Sequence, residues 1–176
     1  MTDEAMAVGA ARERITELIR AAGSCTLTTI SLDGRLVGRP MLLQRAAFDG
    51  ELWFFGYARS ATVRQLRVNP EVEVSFADPE DQVLVSLSGT ARDDHDPTRA
   101  AQLWRPELAT WFPDGPATPG LMLIAVHVTT ARCWERTGRR QDLLGGAGSA
   151  PPGASVFAPG GASVAAGAPR DHATER

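Results

Sequence analysis

No lysine occurs in the 176 residues, so all 18 residues of the combined Lys and Arg count are arginine. That absence excludes Schiff-base chemistry and the lysine-bearing phosphate loop, both of which require an amine. Cysteine is nearly missing too. Cys25 and Cys133 stand alone, without metal-ligand or redox-pair spacing, and read as small buried hydrophobes without a chemical role. The three histidines, His95, His127 and His172, are far apart and lack the spaced partners of a zinc site. Excess positive charge is also lacking: the formal net charge is -3, which gives no general attraction to a phosphate backbone, so a nucleic-acid partner is not expected. Long hydrophobic runs are absent. The longest, 121–126, is far too short to span a bilayer, and the first residues are acidic rather than an apolar signal segment. The expectation is a cytoplasmic protein without a membrane partner.

What is present is an ordinary globular composition, 43% hydrophobic and 22% charged, in a length suited to one domain. From residue 145 onward the chain becomes mostly Gly, Ala, Ser and Pro, with Gly-Ala-Ser-Val occurring at Gly153 and again at Gly161. Such a segment buries too little apolar surface to offset its ordering entropy. We therefore expect a folded domain over 1–144 and a flexible tail over 145–176, in which the run Gly145-Gly146-Ala147-Gly148 follows no strand and serves as linker.

Within the domain, Ile15, Leu18, Ile19 and Ala22 recur at helical spacing, with Gly23 placed to end the helix. The period then becomes two. Residues 25–32 and 35–44 flank Asp33-Gly34 as a hairpin, and a second Asp-Gly, Asp49-Gly50, extends the meander into a strand over 51–57. Ser60 is placed to cap a short helix that ends at Asn69-Pro70. A strand beginning at Glu71 alternates through Phe76, the turn Asp78-Pro79-Glu80-Asp81 leads into a strand over 82–92, and a last strand covers 121–134, with a helix begun by Asp96-Pro97 and a Pro- and Gly-rich loop over 105–120 between the last two. The class expected is mainly β (α+β): a six-stranded antiparallel barrel, closed or split, with a few short helices.

Three clusters carry possible chemistry. Arg39-Pro40-Met41 sits inside a strand, where proline deletes a ladder donor and marks an edge, a bulge or the approach of a ligand. Phe54-Phe55-Gly56-Tyr57 leads through Arg59 to Ser60 and a helix N-terminus, where free amides and the helix dipole favour an anion, with Arg59 and Arg64 adding charge. Barrel-core packing is the competing reading for these aromatics. Trp104, Trp111 and Trp134 form a late group whose flat faces suit a dimer interface or a stacked planar ligand.

Taken in order, Arg39-Pro40-Met41, Asp49-Gly50-Glu51-Leu52-Trp53-Phe54-Phe55, Asn69-Pro70-Glu71-Val72, Val85-Ser86-Leu87-Ser88-Gly89-Thr90-Ala91, Leu103-Trp104, Trp111-Phe112-Pro113 and Cys133-Trp134-Glu135 resemble the pyridoxamine 5'-phosphate oxidase-like FMN-binding split barrels, in their general stress protein 26-like branch. The resemblance covers about residues 15–140. It implies a homodimer holding FMN in clefts between subunits. It also implies that Arg39, Pro40 and Met41 lie along the isoalloxazine and ribityl edge, that the segment from Phe54 to Ser60 leads to the phosphate, and that Trp134 contacts flavin across the dimer. Two departures stand out. The family's Ser-x-Lys at the phosphate turn is Ser60-Ala61-Thr62 here, which leaves Arg59 or Arg64 to supply a fork for phosphate oxygens. The Arg-x-His of true pyridoxamine-phosphate oxidases reads Arg140-Gln141-Asp142, so that oxidase activity is not expected.

Three functional readings follow: an FMN-dependent oxidoreductase of unread substrate, a non-catalytic flavin-sequestering stress protein, and a relative that uses the deazaflavin F420, haem or no cofactor in the same cleft. The flavin readings lead. Between enzyme and non-enzyme the sequence does not choose, because fold resemblance does not fix function.

Overall fold

The computed structural model describes residues 2–78 and 80–145. The expected tail lies, from residue 146, outside the described residues. The chain opens with α1 (Thr2–Ala22), whose Ile15, Leu18 and Ile19 are buried as their spacing requires, and which Gly23 ends at φ +70°. The helix begins well before that apolar stripe; Ala7, Ala10 and Ala11 carry it by intrinsic propensity while Met6 stays exposed.

β1 (Ser24–Ile30) and β2 (Leu36–Leu42) form the expected hairpin, with Leu27 opposite Arg39 and Cys25 opposite Met41. β3 (Glu51–Tyr57) does not continue the meander. Segment 43–50 buries Leu43 and Phe48 beneath α1, where the Phe48 amide donates to Thr16 Oγ1 at 3.0 Å, and β3 instead pairs with β6 (Leu121–Trp134). Asp49-Gly50 is therefore the entry to a strand rather than a hairpin turn. The two buried side chains carry the chain across to the far sheet edge before it can fold back on β2.

The remaining elements are α2 (Ala61–Val68), β4 (Glu71–Asp78), β5 (Val83–Asp94), α3 (Pro97–Leu103) and β7 (Arg140–Leu144), with two short 3-10 turns at Pro106–Thr110 and Gly115–Ala117. Ser60 and Asp96 cap α2 and α3 through their side chains, as their types and positions predict. The antiparallel order is β2-β1-β4-β5-β6-β3, with β7 paired to the C-terminal part of β6. Since β2 and β3 end this path and are not bonded to each other, the barrel is split there.

β7 is a seventh strand added to the six expected, and Gly145 follows it directly, which corrects the reading that no strand precedes the glycine run. Arg140, Gln141 and Asp142 give it a polar face without alternation. Its ordering comes from pairing with β6 and from Asp142, which takes both Arg132 and Arg140.

Alternation along β3 divides the apolar side chains between two cores. Phe54 enters the barrel with Leu27, Leu87, Ile124 and the α1 stripe. Trp53 and Phe55 point the other way and are covered by α3, Leu108 and Phe112. Among the described residues no helix is long and apolar enough to cross a membrane.

Candidate functional site

The predicted residues fall in two regions. The first is the corner where β2, the end of β3 and α2 meet. Period-two alternation puts Arg39 and Met41 on the inward face of β2, opposite Leu27 and Cys25, and leaves Pro40 exposed on the outer face. β2 is an edge strand, where a missing amide donor costs least.

Arg39 reaches α2. Its Nη2 donates to Gln65 Oε1 at 3.0 Å and to Thr29 Oγ1 at 2.7 Å, and its Nη1 donates to the Leu27 carbonyl at 3.2 Å. Thr29 Oγ1, fully buried, donates in turn to Gln65 Oε1 at 2.6 Å. Burial lowers the Arg39 pKa from its ordinary value.

At the mouth of α2, Ser60 Oγ accepts from the Val63 amide at 3.2 Å and the Ser60 carbonyl accepts from Arg64. The amides of Ala61 and Thr62 are left at the open end of the helix. No acidic residue occupies the first turn, so nothing there competes with an incoming anion. Arg59 and Arg64 are both exposed beside this mouth.

The aromatics sort by face. Phe54 is a core ring with no exposed surface, whereas Phe55 packs edge-on to Trp104 at 5.7 Å between centroids. Gly56 leaves room for Ile124, whose Cδ1 would stand 3.4 Å from an added Cβ. Tyr57 stacks obliquely on Phe112 at 5.0 Å and donates its hydroxyl to the Trp111 carbonyl at 2.8 Å. Beside it a cleft of about 380 Å³ is lined by Tyr57, Ala58, Arg59, Pro119 and Gly120, and the Trp111 side chain stands 54% exposed nearby in the chain.

The second region is the outer sheet face. Trp134 sits opposite Leu84 and Arg140 and lines an apolar groove of about 480 Å³ with Thr26, Ser75 and Leu84. Thr26 is the cross-strand partner of Pro40, so the groove approaches the outer side of the same β2 segment. Trp134 lies at the opposite end of β6 from Leu121, the partner of Tyr57. At the usual strand rise this is roughly 43 Å of contour. One protomer does not bring Trp134 to Tyr57, Arg59 and Ser60 together.

Thr29 and Gln65 are the residues that sequence reasoning missed. A signal existed for both: Thr29 is a polar side chain at an inward strand position, and Gln65 follows Thr62 by three on a helix. Cys25, by contrast, has its thiol pushed up to about 12 by burial and by Glu73, which leaves it protonated and inert. Among the described residues no three His, Cys, Asp or Glu side chains cluster as a metal site.

The sequence model of the family described as pyridoxamine 5'-phosphate oxidase like matches residues 10–146. No curated protein matches the chain. Among solved structures, the general stress FMN/FAD binding protein of Xanthomonas citri is 26% identical, with a TM-score of 0.62 over 72% of this chain and 89% of that one. General stress protein 26 of Bacillus anthracis is 23% identical, with a TM-score of 0.62 over 69% of this chain and 92% of that one. A pyridoxamine 5'-phosphate oxidase-related, FMN binding protein of Nostoc punctiforme is 20% identical, with a TM-score of 0.55 over 77% and 87%.

Proposed function

Because the chain belongs to the pyridoxamine 5'-phosphate oxidase-like family, we propose that it binds FMN, with the phosphate at the mouth of α2 and the ring system along Arg39, Pro40 and Met41. The observation that carries this reading is the corner itself. A capped helix N-terminus with free amides and no acidic first turn stands next to a half-buried arginine that is tied to the same helix. These groups suit a phosphate ester, and the description of the Xanthomonas citri relative supports a flavin.

The separation of Trp134 from Tyr57, Arg59 and Ser60, together with its apolar groove, supports a site completed by a second copy of the chain. In that homodimer Trp134 of one protomer covers the flavin of the other. Bound FMN supplies hydride and single-electron chemistry at its ring system. The side chains of this chain orient the ring, cover it from water and hold the phosphate. The corner offers Arg39, Tyr57, Arg59, Ser60, Thr62 and Arg64, among which there is no carboxylate or imidazole to transfer a proton. The reading is hydride exchange with a bound donor, or flavin holding without turnover. Arg140 pairs with Asp142 at 2.8 Å on the exposed face of β7.

The test is equilibrium filtration of the purified protein with excess FMN, read in the visible spectrum. Flavin bands retained with the protein are expected, together with a melting temperature that rises with FMN concentration. Flavin that passes entirely into the filtrate would exclude the reading, and retention of F420 or haem in parallel samples would replace it.

A further inference from the structure

β2 and β3 are not bonded to each other across the split, yet one segment, 105–120, reaches both sides of it. On the β2 side Arg105 Nη2 donates to the carbonyl of Leu43, the residue after the strand, at 2.9 Å. On the β3 side Tyr57, the last residue of the strand, donates its hydroxyl to the Trp111 carbonyl, and the neighbouring Ala58 amide donates to the Gly120 carbonyl at 2.9 Å. Among the described residues these three hydrogen bonds are all that tie 105–120 to residues distant in sequence. The segment's other backbone bonds are local turns, such as the Leu108 amide to the Arg105 carbonyl and the Gly115 amide to the Phe112 carbonyl. Leu108 and Phe112 seat it on Trp53 and Phe55. It is thus a folded strap rather than an open loop.

Its two side-chain pins are both easily drawn. Arg105 Nε is buried without a partner, so the Leu43 bond is held at the cost of a desolvated donor, which regains water when the strap lifts. Tyr57 is 40% exposed, so water competes for its hydroxyl. The strap is also a wall: Pro119 and Gly120 face Tyr57 and Arg59 across the cleft of about 380 Å³, and the run from Pro116 to Gly120 lines a second cleft of about 330 Å³ with Asp94 and His95.

We infer that 105–120 is a gate. It closes the split between β2 and β3, is pinned by Arg105 and Tyr57, and opens as one unit that widens the cleft beside Arg59. Segments that open cooperatively lose protection together, whichever contact is removed. Loss of the Arg105 pin is therefore felt at Ala58, at the far end of the strap, and loss of the Tyr57 pin is felt at Leu108, beside Arg105.

The experiment is amide hydrogen exchange on the flavin-free full chain, as wild type, Arg105→Met and Tyr57→Phe, so its outcome does not depend on the flavin reading. Arg105→Met keeps most of the apolar stem and removes the donors; Tyr57→Phe keeps the ring on Phe112 and removes the hydroxyl. Each variant is expected to speed exchange about fivefold, by a similar factor at Leu108, Gly115 and Ala58, with the β5–β6 ladder unchanged. A rise confined to the amides nearest the substituted residue would overturn the inference, since the contacts would then be independent. So would an equal rise throughout β5 and β6, which would mark a general loss of stability, or no rise at all. Should Arg105→Met fail to fold, Tyr57→Phe decides alone, through Leu108 at the other end of the strap.

Discussion

Gly89→Ala is expected to cost about 3 kcal/mol or more of folding stability, read as a shift of the denaturant midpoint. Gly89 sits where the β5–β6 register shifts: Ser88 pairs with Thr130 and Gly89 with Val128, which leaves Thr129 as the extra residue of a bulge. A Cβ at this position would stand 1.9 Å from the His127 carbonyl oxygen and 2.9 Å from its carbon. Both atoms are backbone, so no side chain can rotate away; the two strands must separate by more than an ångström and strain the ladder on both sides. The same exchange at Gly9, a helical position with nothing within 4 Å of the added atom, is the control. It is expected to be neutral or to stabilise by up to about 1 kcal/mol, since alanine has the higher helix propensity. Equal effects at the two sites would show that the bulge is not the close approach described.

Phe54→Ala is expected to cost about 3–5 kcal/mol, among the largest effects open to a single side chain here. The ring has no exposed surface and lies in the barrel core with Leu27, Leu87 and Ile124. Truncation removes its transfer free energy and leaves a cavity whose walls, being strands bonded on both sides, close only partly. Phe54→Leu retains most of the volume and is expected to cost far less, with FMN affinity unchanged. A flavin affinity that falls in Phe54→Leu while stability holds would place this ring at the ligand instead of in the core.

The competition between core and ligand at Phe54 and Phe55 marks where the sequence stops being informative. Alternation in 51–57 establishes that one ring faces each way, but it does not say that both faces are covered, because the second cover, α3 and the loop bearing Phe112, comes some fifty residues later. Local chemistry was legible: Asp33-Gly34 as a hairpin turn, Ser60 and Asp96 as caps, Gly23 as a helix stop. Each depends on neighbours within four residues. Pairing of β3 with β6 instead of β2 depends on burial of Leu43 and Phe48 beneath α1, a long-range event that Asp49-Gly50 cannot announce. β7 was hidden because its order comes from β6 and from arginines at 132 and 140, not from its own periodicity.

For the candidate site, the sequence located the strand and the helix mouth separately. It did not reveal that Arg39 crosses from one to the other, since Thr29 and Gln65 become a joint acceptor only when β1 is packed under α2. Arg59 and Arg64 were the nearest arginines in sequence. Arg39 is the one the fold anchors on the helix.

The most direct test of the account is sedimentation of the full chain with FMN, followed at the flavin's visible absorption and, in parallel, at the protein band. The account predicts that flavin travels with a species of twice the chain mass, at one flavin per chain. Flavin that sediments with a single chain would contradict the two-protomer site, and flavin that stays at the meniscus would contradict the account as a whole.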